Sequence, residues 1–477
     1  MIFCKIFKSN FILITLATTS MNCVAKADSI VISGSSKKQV SLSGNDNLIL
    51  SGNAEIDYNK KAISISNFSN ISIKTEPGSS VLSVDDSIHG KYNTKNSGTI
   101  SIINNGTFES TGGGQSIDLD DVSNSSKTTI QNGATGKLIA DDADGIRPGS
   151  NATILNAGLI YAAGAVGNSH DAVDFQSYSG TVINQANGII SGARHGVTTD
   201  GNINVLNELN GTIIGRNGSG VGSDGTGTVV NYGSITGAYD GSGTGDGDGV
   251  DIDGYASISN YGTISATGAG GSKADGRLNG AEGLALSGGG IVYNGVHGVI
   301  TSVYSGITAC CTYNSNYTIT NYGNIHGNDH GIGLSGASNT QNYGTISGDN
   351  GIVVDANYGD KTVANIDNHG SINGLYNAIY ISPDATLNLT VHDGSTITGS
   401  IANDGFLNIS TNDNYYLSAS IVNIGSLELS GSGSIHLLAQ NTYSGDTIIN
   451  GLTVYGNTLS FGTGNIVNDA ALIVAQD

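Results

Sequence analysis

The chain has 477 residues, of which 72 are Gly and 3 are Pro, with no Trp and only 12% charged residues. That composition argues against a set of ordinary compact domains, and a formal net charge of −21 disfavours nucleic acid or an anionic membrane as partner. Hydrophobic residues still make up 38% of the chain and recur at regular places, so the main body is read as folded rather than disordered.

Residues 1–27 read as a secretory signal peptide. Lys5 and Lys8 precede an apolar run from Phe11 to about Ala17, and "AKA", Ala25 to Ala27, suits cleavage, so the mature chain starts near Asp28. The apolar run is too short to span a membrane. Cys23 lacks the Leu-x-small-Cys context of a lipoprotein signal. Removing the three lysines Lys5, Lys8 and Lys26 takes the net charge from −21 to −24. Of the 4 cysteines only Cys310 and Cys311 then remain, too few to staple a scaffold of this length. The exported chain is therefore expected to hold by packing and hydrogen bonds.

Residues 28–95 are predicted to form a β-rich N-terminal capping region, and residues 96–439 a repetitive body. A first motif recurs there, as in "NYGSITG" from Asn231, "NYGTISA" from Asn260 and "NYGTISG" from Asn342. Its Asn stands at Asn104, Asn132, Asn156, Asn184, Asn207, Asn231, Asn260, Asn294, Asn321, Asn342, Asn368, Asn403 and Asn423, with gaps of 20 to 35 residues. Two residues earlier the side chain is almost always branched and apolar (Val229, Ile258, Ile319), and x-Gly-x-Ile follows (Ile235, Ile264, Ile325). Apolar-skip-apolar is strand spacing with one face buried. The Asn and Gly between the apolar positions suit a bend, since both tolerate positive φ.

A second motif alternates with the first: "HGVTTDG" from His195, "SGVGSDG" from Ser219, "DGVDIDG" from Asp248, "EGLALSG" from Glu282 and "HGIGLSG" from His330. Two or three short strands per turn of 20–30 residues predict an all-β fold, a right-handed parallel β-helix whose turns stack about 4.8 Å apart. Identical residues then form columns, so Asn amides and Tyr rings can make ladders. About 15 turns would give a rod of roughly 70 Å. The variable part of each repeat lies between the Ile of the first motif and the Gly of the second. That places loops along one face, where specificity is expected.

Residues 440–477 contain "QNTYSGDTIINGLTVYGNTLSFGTGNIVNDAALIV". This resembles the passenger-associated transport repeat of bacterial autotransporters, with Asn441, Thr442, Tyr443, Ser444, Gly445 and Thr447 matching and Ala470 standing where Gly is usual. The upstream Asn-x-Gly-x-Ile repeats also resemble autotransporter passengers. The resemblance implies a Gram-negative, cell-surface or secreted passenger carried across the outer membrane by a β-barrel translocator. No barrel-like series of alternating segments lies in this sequence, which is read as a truncated product or a fragment of a longer protein. The function expected is an adhesin-like binding or structural rod without catalysis, its partner a host or cell-surface glycan or protein. The alternative is a β-helix polysaccharide lyase or hydrolase.

The residues themselves offer few catalytic signals. Asp120–Asp121 and Asp141–Asp142 are paired acids, but the Asn-Thr-Asp, Gly-His-Gly and Arg-x-Lys set of polygalacturonases is missing, and Arg is confined to Arg147, Arg194, Arg216 and Arg277. Asp246, Asp248, Asp251 and Asp253 form the densest acidic cluster and are candidates for calcium, against a plain polar turn. Asp200, Asp224 and Asp253 hold the same place in successive copies. If stacked, they either splay into water or hold a divalent cation. His195 and His330 occupy a tolerant position read as an exposed turn. Cys310 and Cys311 replace the closing Asp-Gly of the second motif, where a turn permits a vicinal disulfide. The bland reading is two free thiols. No cofactor is otherwise implied.

Overall fold

The computed structural model describes residues 28–91, 98–122, 125–164, 169–239, 247–268, 270–272, 278–311, 315–356 and 361–475. The signal-peptide reading and Asp246 lie outside these residues. Among the described residues there is no helix, and nearly all strands stack in parallel, in register, as a β-helix. Each turn has three short strands. One turn comprises Ala256–Asn260, Thr263–Ala266 and Leu284–Leu286, and each pairs with its equivalents in neighbouring turns. We call the three stacks the first, second and third columns.

The first column contains 19 strands among the described residues, which at about 4.8 Å each is a rod of roughly 85 Å. It exceeds the expected length because strands Ser29–Ile32, Asn47–Leu50 and Asn70–Thr75 join the same column. At the other end, Thr447–Asn450 and Ile466–Asn468 continue it. There Tyr443 is fully buried with its hydroxyl 2.6 Å from Thr447 Oγ1, and Asn441 Nδ2 donates to Ser460 O.

The core runs the length of the rod. Val229, Ile235, Ile258, Ile264, Ile319 and Ile325 point inward and are buried. Their sequence neighbours Ser257, Ser259 and Ser265 are half-buried rather than exposed, because turns above and below cover much of each outward side chain.

Of the two tasks expected of the first-motif Asn, a ladder and a bend, it performs the ladder. From Asn104 to Asn368 eleven Asn side chains are buried in one column, each Nδ2 donating to the next Oδ1 at 2.8–2.9 Å. None of these has positive φ. Positive φ falls instead on Asn187 (65°) and Asn210 (63°), in copies with two extra residues. The accompanying glycine is required by close approach: a Cβ on Gly262 would lie 2.2 Å from Gly233 O one turn away. Thr75 Oγ1 closes one end of the ladder by donating to Asn104 Oδ1 at 2.7 Å. At the other end Asn368 Nδ2 is buried without a hydrogen bond, since Val391 stands where the next Asn would be. Asn403 and Asn423 do not belong to this ladder. Asn403 pairs with Ile381 in the third column, and Asn423 has φ 80°.

The second motif is explained in the same way. A Cβ on Gly249 would meet Ile264 Cγ2 at 2.5 Å and Gly283 O at 2.6 Å, so glycine lets the third column close over the core. Variable connections occur at two corners, not one. Between second and third columns the connection reaches 267–283. Between third and first it ranges from 224–226 to 119–126 and 355–362. Both corners border the third column.

Candidate functional site

The third column thus forms a floor with variable connections along both sides. Its outward side chains are the chemically richest of the molecule. Toward the N-terminal part, His89, Asp118, Arg147 and Asp174 occupy equivalent places in successive turns, flanked by Asp86, Asp144 and Asp171. Asp86 Oδ2 lies between Lys61 Nζ (2.8 Å) and His89 Nδ1 (3.0 Å). Arg147 Nε donates to Asp144 at 2.8 Å and has Asp120 at 3.7 Å. Arg194 holds Asp171 through Nε and Nη2 at 3.0 and 2.6 Å. Asp171 also accepts from the backbone of His195 at 2.9 Å.

Burial, hydrogen bonds and neighbouring charges shift the titration of this cluster. The hydrogen bond with Asp118, then that with Asp86, raises His89 to about 9. Burial, then Asp118, raises Asp120 to about 6. Burial also raises Asp174 to about 6, with Asp144 and Asp171 adding to it. Burial pushes Asp118 up, but the hydrogen bond from His89 leaves it below the usual value.

These shifts make stability depend on pH with a definite sign. His89 is raised above 6.5, so its stabilisation is complete below that value and is lost as pH rises through about 9. Its magnitude is on the order of 2 kcal/mol after allowing for solvent screening. Asp120 and Asp174 are raised above 3.8, so their ionisation weakens the fold, fully above about 6 and not below about 4. The melting temperature is therefore expected to peak between pH 4 and 6.5 and to fall toward pH 9.5. The alkaline decline should flatten in His89→Gln, and Asp174→Asn should melt higher than the parent at pH 7.5. A melting temperature constant from pH 6 to 9.5 would contradict this account.

The acids singled out in the sequence fall further along the same face. Asp248 is buried and accepts from Glu282 N at 2.6 Å, so it fastens one turn to the next. Asp251 lies on strand Val250–Ile252, whereas Asp253 is exposed beyond it. Register carries Asp200, Asp224 and Asp253 into one exposed column, and burial, then Asp200 and Asp253, raises Asp224. Asp142, of the paired acids, is exposed beside His170 Nε2 at 3.4 Å. His195 is half-buried rather than exposed, and its Nδ1 accepts from Ser219 N at 2.8 Å. Arg216 caps the carbonyls of Ala162 and Ala163 at 2.6 and 2.7 Å and lies over the Tyr161 ring.

Among the described residues, three groups bring potential metal ligands within 4.8 Å: Asp86–His89–Asp118, Asp144–Asp171–Asp174 and Asp367–His369–His392. None includes the calcium candidates of the sequence. The first two are engaged by Lys61, Arg147 and Arg194. In the third, His369 and His392 stack in parallel at 3.8 Å, and their Nε2 atoms both meet the Asp367 carboxylate, at 3.3 and 2.7 Å. They end an aromatic column that runs through Tyr232, Tyr261, Tyr293, Tyr322 and Tyr343 at 4.7–5.8 Å. The rings stack face to face except at Tyr293, whose two contacts are tilted by 49° and 48°, so the column stabilises the rod.

Cys310 and Cys311 form a vicinal disulfide. At the equivalent place Gly288 would bring a Cβ to 2.5 Å from the Gly254 backbone, and Cys311, which has a Cβ, takes φ 84° instead. The disulfide borders a cavity of about 450 Å³ on the third column. That cavity escaped sequence reading because it depends on Tyr304 and the disulfide at opposite ends of strand Ser305–Ala309 and on Gly333 in the next turn. No protein-family model, curated protein or solved structure matches this chain.

Proposed function

We propose that the chain is an exported surface rod, the passenger of a Gram-negative autotransporter, which acts by binding a glycan or protein as an adhesin does. The observation that carries this reading is the third column: a long floor, charged toward its N-terminal part from His89 to Asp174 and lined further along by small and mixed side chains, with connections of variable length along both sides. The apolar side chains that hold the rod lie inside, so exposed residues of the loops beside the floor can vary at little cost to the fold. The resemblance of residues 440–477 to the passenger-associated transport repeat supports the autotransporter part. Displayed on Gram-negative cells through a heterologous outer-membrane β-barrel, residues 28–477 are expected to become accessible to external protease. They should also raise adhesion to glycoprotein-coated surfaces several-fold over cells displaying the barrel alone. Equal adhesion of the two on glycoprotein and on extracellular-matrix protein would refute the reading.

One observation favours a second reading, cleavage of a polysaccharide. Asp120 and Asp174, each raised to about 6, flank Arg147, and a carboxyl group protonated near pH 6 can serve as a general acid. On that reading neutral or acidic polysaccharides would release reducing ends or ultraviolet-absorbing products, and Asp120→Asn or Asp174→Asn would abolish release.

A further inference from the structure

We infer that the cavity beside the vicinal disulfide is a subsite for one neutral pyranose residue of a glycan, its carbon face packed on the Cys310–Cys311 ring and its hydroxyls held by His330 and Asp355. The volume, about 450 Å³, falls within the range of about 300–1,000 Å³ common for small-ligand sites. The floor is open because Gly333 has no side chain. A Cβ there would meet only His330 Cδ2 at 3.5 Å and Ile307 O at 4.0 Å, ordinary contacts. One wall is the disulfide, a rigid, polarisable surface that demands no hydrogen bond and suits the C–H face of a sugar ring. The opposite wall carries Tyr304 and His330, with ring centroids 5.8 Å apart. Gly280 admits that tyrosine, since a Cβ at 280 would fall 2.1 Å from its Cδ1.

Polar chemistry at the site points the same way. His330 Nδ1 is shielded from solvent and lies 3.3 Å from Asp329 Oδ1, yet makes no hydrogen bond. With Nδ1 out of reach of solvent, it is the Cδ2–Nε2 edge of the ring, 3.5 Å from the place of a Cβ on Gly333, that a sugar hydroxyl can meet, Nε2 serving as donor or acceptor. Carboxylates at Glu282, Asp329 and Asp355 line the cavity, where they can accept hydrogen bonds from hydroxyls and repel uronic and sialic acids. The backbone is the last sign. Cys311 takes φ 84°, a conformation strained for a non-glycine residue and of the sort found at binding sites, whereas its counterparts Gly288 and Gly336 do not have positive φ.

The subsite rests on the reading of the chain as a glycan-binding rod, and the test separates the two. Saturation-transfer NMR on the full exported chain would use methyl α-mannopyranoside, methyl β-galactopyranoside and N-acetylglucosamine as neutral probes, with galacturonate as the anionic one. Transfer to at least one neutral probe and none to galacturonate is expected. Gly333→Phe, which fills the floor, and the pair Cys310→Ser with Cys311→Gly, which removes the sulfur wall and suits the positive φ, should each reduce the transfer at least fivefold. Melting curves establish that the variants are folded, and the second keeps the test decisive if the first is not. No transfer to any neutral probe, stronger transfer to galacturonate, or undiminished transfer in a folded variant overturns the subsite. Adhesion without transfer to any neutral probe would remove the subsite while leaving the adhesin reading intact. Sugar binding without adhesion would do the reverse.

Discussion

Ile264→Asp is expected to cost more than about 4 kcal/mol and to open the rod locally. Ile264 is fully buried, stacked between Ile235 and Ile300, with Gly249 closing over it. A carboxylate there has no cation or donor within reach, and the core cannot admit water without parting the third column from the second. Because a solenoid turn contacts chiefly its neighbours, the damage should spread only a few turns. Hydrogen exchange should therefore accelerate in strands Ser234–Gly237, Thr263–Ala266 and Val299–Ser302 while Leu387 and Leu407, far along the rod, keep their protection. An unchanged denaturation midpoint, or uniform loss of protection along the whole chain, would contradict this arrangement.

Asn260→Leu should destabilise by about 3 kcal/mol, although leucine is apolar and close in size. Asn260 Nδ2 donates to Asn294 Oδ1 at 2.9 Å and to Val299 O at 3.1 Å, and its Oδ1 accepts from Asn231 Nδ2 at 2.9 Å. Leucine removes all three bonds and strands buried polar groups in two adjacent turns. Each stranded group costs about 1–3 kcal/mol. The same replacement at Asn368 should cost less than half as much, because its Nδ2 already makes no hydrogen bond and only the bond from Asn342 is lost. Equilibrium unfolding of the two variants side by side tests the ladder as a cooperative element. Equal losses at 260 and 368 would mean that burial, not the amide chain, sets the energy.

Much of this was legible in the sequence because a β-helix is a one-dimensional problem. A side chain repeated at equal spacing must meet its copies, so the buried Ile and Val positions, the Asn and Tyr columns and the parallel strands all follow from period and alternation. Spacing alone also aligned Asp200, Asp224 and Asp253, which the register places in one column. It could not assign the Asn its role as an amide ladder over that of a bend, since both use the same residue and the difference lies in φ. Nor could it exclude Asn403 and Asn423, whose local motif is intact but whose strands belong elsewhere in the turn.

What only the tertiary structure decided is the grouping of residues from different turns at the corners. The second-motif anchors Gly145 and Ala172 already put Arg147 and Asp174 at the same step, but the long connections of unequal length hide that Asp118 and Asp120 join them. The two variable corners on either side of the third column, and the cavity between Tyr304, Gly333 and Cys310–Cys311, depend on how far each connection projects. Periodicity determines which residues face inward and which stack, because every turn repeats the same hydrogen-bonded strand. The shape of the outer face is set turn by turn, where loops break the period and packing across the rod takes over.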